Sequence, residues 1–139
     1  MVIDTSALLA ILLSEPEAPR LIKAIMSAEH AVVGTPSLVE AAAVMLARKG
    51  PGGEVALDAL LERLGIDSEP FTEDGARLAR LAYSHFGKGV GSPGVLNYGD
   101  CLAYGMAMAS RKPLLFKGDD FTKTDVTKTD VTRAEYDAA

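Results

Sequence analysis

Cysteine and histidine are almost missing from this chain, and positive charge is in short supply: one Cys and two His stand among 139 residues, with 14 Lys and Arg against 19 Asp and Glu. A lone Cys101 cannot close an internal disulfide, which fits a reducing compartment and gives the thiol a packing role. His30 and His85 share no metal-ligand spacing, and no neighbouring motif gives either a general-base role, so an imidazole-built zinc site is excluded. No apolar stretch approaches the roughly 20 residues needed to cross a bilayer, and the early run Ala7 to Leu13 falls far short. A membrane span is therefore not expected. Met1-Val2-Ile3 lacks the basic start of a secretory signal, which places the protein in the cytoplasm. The net charge of −5 excludes a chain that holds nucleic acid by blanket phosphate neutralisation. It leaves open a site where acidity is concentrated and offset by divalent cations, which can themselves contact phosphate.

What is abundant is apolar surface, 48% of residues, enough for the core of one compact domain spanning residues 1–139. Short aliphatic runs alternate with longer helical segments, which predicts a three-layer α/β/α fold with a short, mostly parallel sheet. Met1 to Ile3 reads as the first strand, with a helix through Ala7 to Leu13 directly behind it. A second helix is expected from Pro16, a strand at Ala31-Val32-Val33, and a helix from Thr35-Pro36 that the breakers Lys49-Gly50-Pro51-Gly52-Gly53 end. Further helices are expected over Glu54 to Leu64, Thr72 to Phe86 and Tyr98 to Ser110, with short strands within Gly65 to Phe71 and at Pro113 to Phe116. The tail repeats Thr-Lys-Thr-Asp-Val at 122–126 and 127–131. One copy is expected to form a short edge strand, with fraying after Thr132.

Charge placement is the most informative feature. Asp4 is the only charged side chain in Met1 to Ser14, Glu40 the only one between Ala31 and Ala47, and Asp100 the only one between Gly89 and Ser110. An unpaired carboxylate in an apolar setting costs several kcal/mol or forces a large pKa rise, so such a residue needs a partner. Each has a local reading. Ser37-Leu38-Val39-Glu40 fits a capping box, Asn97-Tyr98-Gly99-Asp100 fits an Asn cap with an acid in the first turn, and Asp4 fits a cap on the helix that follows it. Doubly wound folds, however, bind ligands beyond the carboxyl ends of their strands. Asp4, Glu40, Asp100 and the pair Asp119-Asp120 all map to that edge. Converging carboxylates repel unless cations sit among them, and oxygen-only donors select Mg²⁺ or Mn²⁺ over zinc.

These pieces resemble the PIN-domain ribonucleases, and within them the VapC-type toxins of toxin–antitoxin pairs. The matching segments are Val2-Ile3-Asp4-Thr5-Ser6-Ala7, Ser37-Leu38-Val39-Glu40, Asn97 to Tyr104, and Leu114 to Phe121 followed by Thr-Asp-Val. The resemblance implies a metal-dependent endoribonuclease whose acids fall on Asp4, Glu40, Asp100 and either Asp119 or Asp120, with Asp119 preferred. Asp4 and Asp100 would ligate Mg²⁺ or Mn²⁺, and Thr5 or Ser6 would orient Asp4 through a hydroxyl. It also implies an RNA substrate, a cognate antitoxin and a homodimer. Lys88, Arg111, Lys112 and Lys117 are the candidate phosphate contacts.

Other features point elsewhere and carry less. Gly89-Val90-Gly91-Ser92-Pro93-Gly94 is a literal G-x-G-x-x-G, but it follows a helix and contains Pro, so the dinucleotide-binding context is missing. A receiver-type Mg²⁺-binding signalling domain also uses an acidic pocket, yet Glu40 in mid-helix and Asp100 at a helix start do not suit it. A non-cleaving PIN-fold module for RNA or protein binding is opposed by the filled acidic positions. Met26, Met45, Met106 and Met108 are expected to fill gaps in a core or dimer interface.

Overall fold

A computed structural model describes residues 1–124, so the expected edge strand and frayed tail lie, apart from its first residues, outside the described residues. The elements run β1 (Val2–Ile3), α1 (Thr5–Leu12), α2 (Ala18–Ser27), β2 (Val32–Gly34), α3 (Thr35–Lys49), α4 (Pro51–Leu64), β3 (Asp67–Glu69), α5 (Glu73–Phe86), α6 (Tyr98–Ser110) and β4 (Leu114–Leu115). The sheet order is β3-β2-β1-β4, and every pairing in it is parallel. The expectation of a mostly parallel sheet is thus met in full.

The period-two alternation of strand side chains divides the core into two layers. Ile3, Val33 and Leu115 point into one cluster with residues of α1, α2 and α4. Val2, Val32, Leu114 and Phe116 point into the other, with residues of α5 and α6. The α/β/α layering follows from that alternation. Helices α5 and α6 pack backbone to backbone where glycine permits it: a Cβ built on Gly105 would lie 2.3 Å from the Gly75 carbonyl oxygen. Any larger residue at 105 must push α6 away from α5.

Strand order reverses direction at β1, which has β2 on one side and β4 on the other. In an open parallel sheet that switch opens a crevice beyond the strands' carboxyl ends. Three connections arrive there: Asp4 directly after β1, α3 directly after β2, and Lys117 to Asp120 after β4. Helix α2 starts later than expected. Its first-turn proline is Pro19, and Pro16 lies in the connection before it.

Candidate active site

Asp4 is both the N-cap of α1 and a buried carboxylate. Its Oδ2 accepts from the Ser6 backbone N–H at 3.0 Å, and only 3% of the residue is exposed. Burial drives its pKa up from 3.8 to about 7; hydrogen bonding from Ser6, through hydroxyl and amide, opposes the rise, while the charges of Asp100 and Glu40 add to it. Of the two residues expected to orient Asp4, Ser6 contacts its carboxylate, through the backbone N–H. The Thr5 hydroxyl instead donates to the Ser37 carbonyl at 3.1 Å, tying the start of α1 to the first turn of α3.

Asp100 sits in the first turn of α6. Its Oδ2 accepts from the Asn97 N–H at 3.0 Å, and the Asn97 side-chain oxygen accepts from the Asp100 N–H at 2.8 Å. The expected Asn cap is thus a reciprocal capping box. Desolvation raises the Asp100 pKa, the Asn97 hydrogen bond opposes it, Asp120 and Glu40 raise it further, and Lys88 lowers it. Asp120 is among the neighbours whose charge Asp100 feels. Asp120 begins a short 3₁₀ turn, Asp120–Lys123, for which Asp119 is the N-cap residue.

Glu40 is exposed, in the second turn of α3. The expected capping box with Ser37 does not form. The helix begins three residues earlier, with Gly34 as its N-cap and no side-chain cap bond, because Pro36 suits the first turn. The Glu40 carboxylate is instead laid over Gly99: a Cβ there would fall 2.5 Å from Oε2 and 2.8 Å from Oε1. Gly99 was not singled out from the sequence as the surface on which the Glu40 carboxylate rests. Its only signal was a glycine inside a helical first turn.

Asp4 feels the charges of Asp100 and Glu40, and Asp100 those of Asp120 and Glu40, but the acids do not form a closed ligand set. Among the described residues, no three acidic, histidine or cysteine side chains are gathered closely enough to hold a metal ion. The fit to a dication rests on the donors themselves. They are all carboxylate oxygens, and one of them, Asp4, is buried with two like charges in its field, which a hard divalent cation relieves.

A PIN domain family profile matches residues 1–126. The chain belongs to the PIN-domain family. Mycobacterium tuberculosis proteins named Ribonuclease VapC30 and Ribonuclease VapC28 are 47% and 44% identical to it over 124 residues, covering 89% of this chain and 94% and 93% of theirs. Ribonuclease VapC42 of the same species is 40% identical over 124 residues, with 89% and 95% covered. Such likeness over nearly the whole length places this PIN-domain protein in the VapC group.

The other candidate residues separate in this PIN fold. Lys88 acts on Asp100. Lys117 is ion-paired with Glu15 and Glu17, and Lys112 lies 3.6 Å from Glu69. Arg111 is exposed and caps the C-terminus of α6. Cys101 is buried, and burial pushes its thiol up to about 11, with Asp100 adding to the rise, as a packing role requires. His30 is paired with Asp67 and His85 with the Leu81 carbonyl, both at the surface. Met45 and Met106 are core residues, whereas Met26 is 71% exposed and fills no core gap. No helix among the described residues is long and apolar enough to cross a membrane.

Proposed function

We propose that this chain is a divalent-metal-dependent endoribonuclease, the toxin of a toxin–antitoxin pair, acting in the cytoplasm. The observation that carries the reading is the gathering of acids at the carboxyl edge of the sheet, where buried Asp4 feels the charges of Asp100 and Glu40, and Asp100 those of Asp120 and Glu40. The names of the VapC relatives support RNA as substrate. We place Asp4 and Asp100 as direct ligands for Mg²⁺ or Mn²⁺, with Glu40 and the fourth acid positioning the water that attacks the phosphodiester. A bound dication supplies Lewis-acid chemistry, acidifying water toward neutrality and offsetting charge on the scissile phosphate. Asp4, held by Ser6, is the rigid point of the site. Asp100 is held as firmly by its capping box, and Lys88 supplies a positive charge toward the same region. A cognate antitoxin and a second copy of the chain are the protein partners, and exposed Val39, Val55, Val90 and Tyr98 offer apolar surface for them.

The test is purified protein with defined RNAs, in Mg²⁺ or Mn²⁺ and in chelator. Cleavage is expected only with metal; metal-independent cleavage, or none under any condition, removes the reading. The same assay separates the two candidates for the fourth acid. Asp120→Asn is expected to reduce cleavage about a hundredfold, as loss of a positioned catalytic group does, and Asp119→Asn by much less. The reverse order returns the role to Asp119.

Gly99→Ala tests Glu40 without altering it. The atoms in the way are the end of a flexible side chain, so the fold should survive, and alanine adds up to about 1 kcal/mol of helix propensity. Glu40 must swing aside. A displacement of this kind should cost cleavage about a hundredfold while the melting temperature holds or rises. An unchanged rate would take Glu40 out of the machinery.

A further inference from the structure

Two segments far apart in sequence meet beside the acidic cluster, and Lys117 joins them twice. Its backbone N–H donates to Ser6 Oγ at 3.0 Å, and the Ser6 backbone N–H in turn donates to Asp4 Oδ2. Its ammonium is ion-paired with Glu15 and lies 3.7 Å from Glu17 Oε2. Both glutamates belong to the connection between α1 and α2. Immediately after Lys117 the chain turns at Gly118, at φ +95°, where L side chains are disfavoured, and delivers Asp119 and Asp120.

We propose that Lys117 is a positioning residue for the nuclease reaction: its ion pairs with Glu15 and Glu17 pin the start of the 117–120 loop, and so fix Asp120 and, through Ser6, Asp4. An isolated exposed pair would do little. Here one lysine serves two carboxylates, the three side chains are only 32%, 31% and 21% exposed, and Glu17 Oε2 is closed off from water without a hydrogen-bond partner. Without the ammonium, two carboxylates face each other and one keeps a buried oxygen unpaired, a state that is relieved only when the connection and the loop move apart. A lysine held in this way steadies the loop instead of meeting RNA phosphate. The inference rests on the proposed metal-dependent nuclease function for its Mn²⁺ and catalytic arms, and not for its exchange arm.

Lys117→Met tests it in three ways. In metal-free protein, amide exchange at Lys117 and Thr122, whose N–H groups bond to Ser6 and to the Asp119 carbonyl, should accelerate about tenfold. Calorimetric Mn²⁺ affinity should fall about tenfold, as when support to a metal site is lost. Cleavage should lose kcat with KM for RNA unchanged, and Lys117→Arg should restore all three. If Lys117→Met fails to fold, the Glu15→Gln/Glu17→Gln double variant, which keeps the lysine, should reproduce the exchange and Mn²⁺ changes. A raised KM with unchanged exchange and Mn²⁺ affinity would make Lys117 a phosphate contact and overturn the proposal, as would no change in any readout. Because exchange is read without RNA or metal, failure of the nuclease reading leaves that arm standing.

Discussion

Asp4→Asn is expected to abolish RNA cleavage and, without metal at pH 8, to raise the melting temperature by about 10 °C. The sign follows from the direction of the pKa. Burial raises Asp4 from 3.8 to about 7, so the folded state binds this proton more tightly than the unfolded state. Above about pH 7 the group is ionised in both states, and the fold carries the whole cost of a buried charge. As pH falls through 7 the folded protein takes up the proton and the cost shrinks; below about 4 both states are protonated and it is gone. A rise of this size corresponds to about 4 kcal/mol as an upper bound, and burial of the amide that replaces the acid returns part of it. The stability gap between variant and wild type should therefore be widest at pH 8 and close by about pH 4. Thermal melts across that range decide it: a variant less stable at pH 8, or a gap indifferent to pH, sinks the reading of Asp4 as an acid held against its solvation preference.

Cleavage by the wild type should climb with pH to a plateau near 7, with the rate at pH 5 about a hundredfold below it under limiting Mn²⁺. Asp4 must lose its proton before it can act as a ligand, so each unit below its pKa removes about nine-tenths of the competent form. Proton and cation compete for one carboxylate. Raising Mn²⁺ should consequently move the midpoint to lower pH, a displacement that a purely catalytic base elsewhere in the site would not show. Single-turnover rates from pH 5 to 8 at two Mn²⁺ concentrations test both statements. A flat profile, or a midpoint that ignores Mn²⁺, would separate Asp4 from the cation.

Much of the site was legible because Asp4 and Asp100 interrupt apolar runs, and a lone charge there needs a reason. Their local readings proved correct as well: Asp4 caps α1 and Asp100 closes a capping box. Satisfying a helix end therefore does not argue against a role in chemistry, since both residues stand at the same edge of the sheet. Helix α6 was readable to its end residues because Asn97 marks its start, and β1, β2 and β4 followed from β-branched and aliphatic runs, whereas β3, Asp67–Glu69, is polar and was placed only within Gly65 to Phe71. What escaped was whatever depends on distant partners. Lys117 looked like a phosphate contact because its glutamates lie about a hundred positions away. Asp119 and Asp120 look alike in sequence because the 3₁₀ turn that gives them different places is not revealed by two adjacent aspartates. Gly99 could be recognised only with the Glu40 carboxylate resting on it.

The parallel pairing of Val2 with Leu114 has a consequence for the timing of synthesis. The strand that carries Asp4 is made first, yet it lies beside a neighbour translated near the other end of the described chain, and the acids at 119 and 120 come later still. A ribosome that has made only the first hundred residues holds an incomplete cluster. On the proposed reading, a chain dangerous to its own cell's RNA becomes able to cut only after residues 114 to 120 have been translated and have joined the first strand.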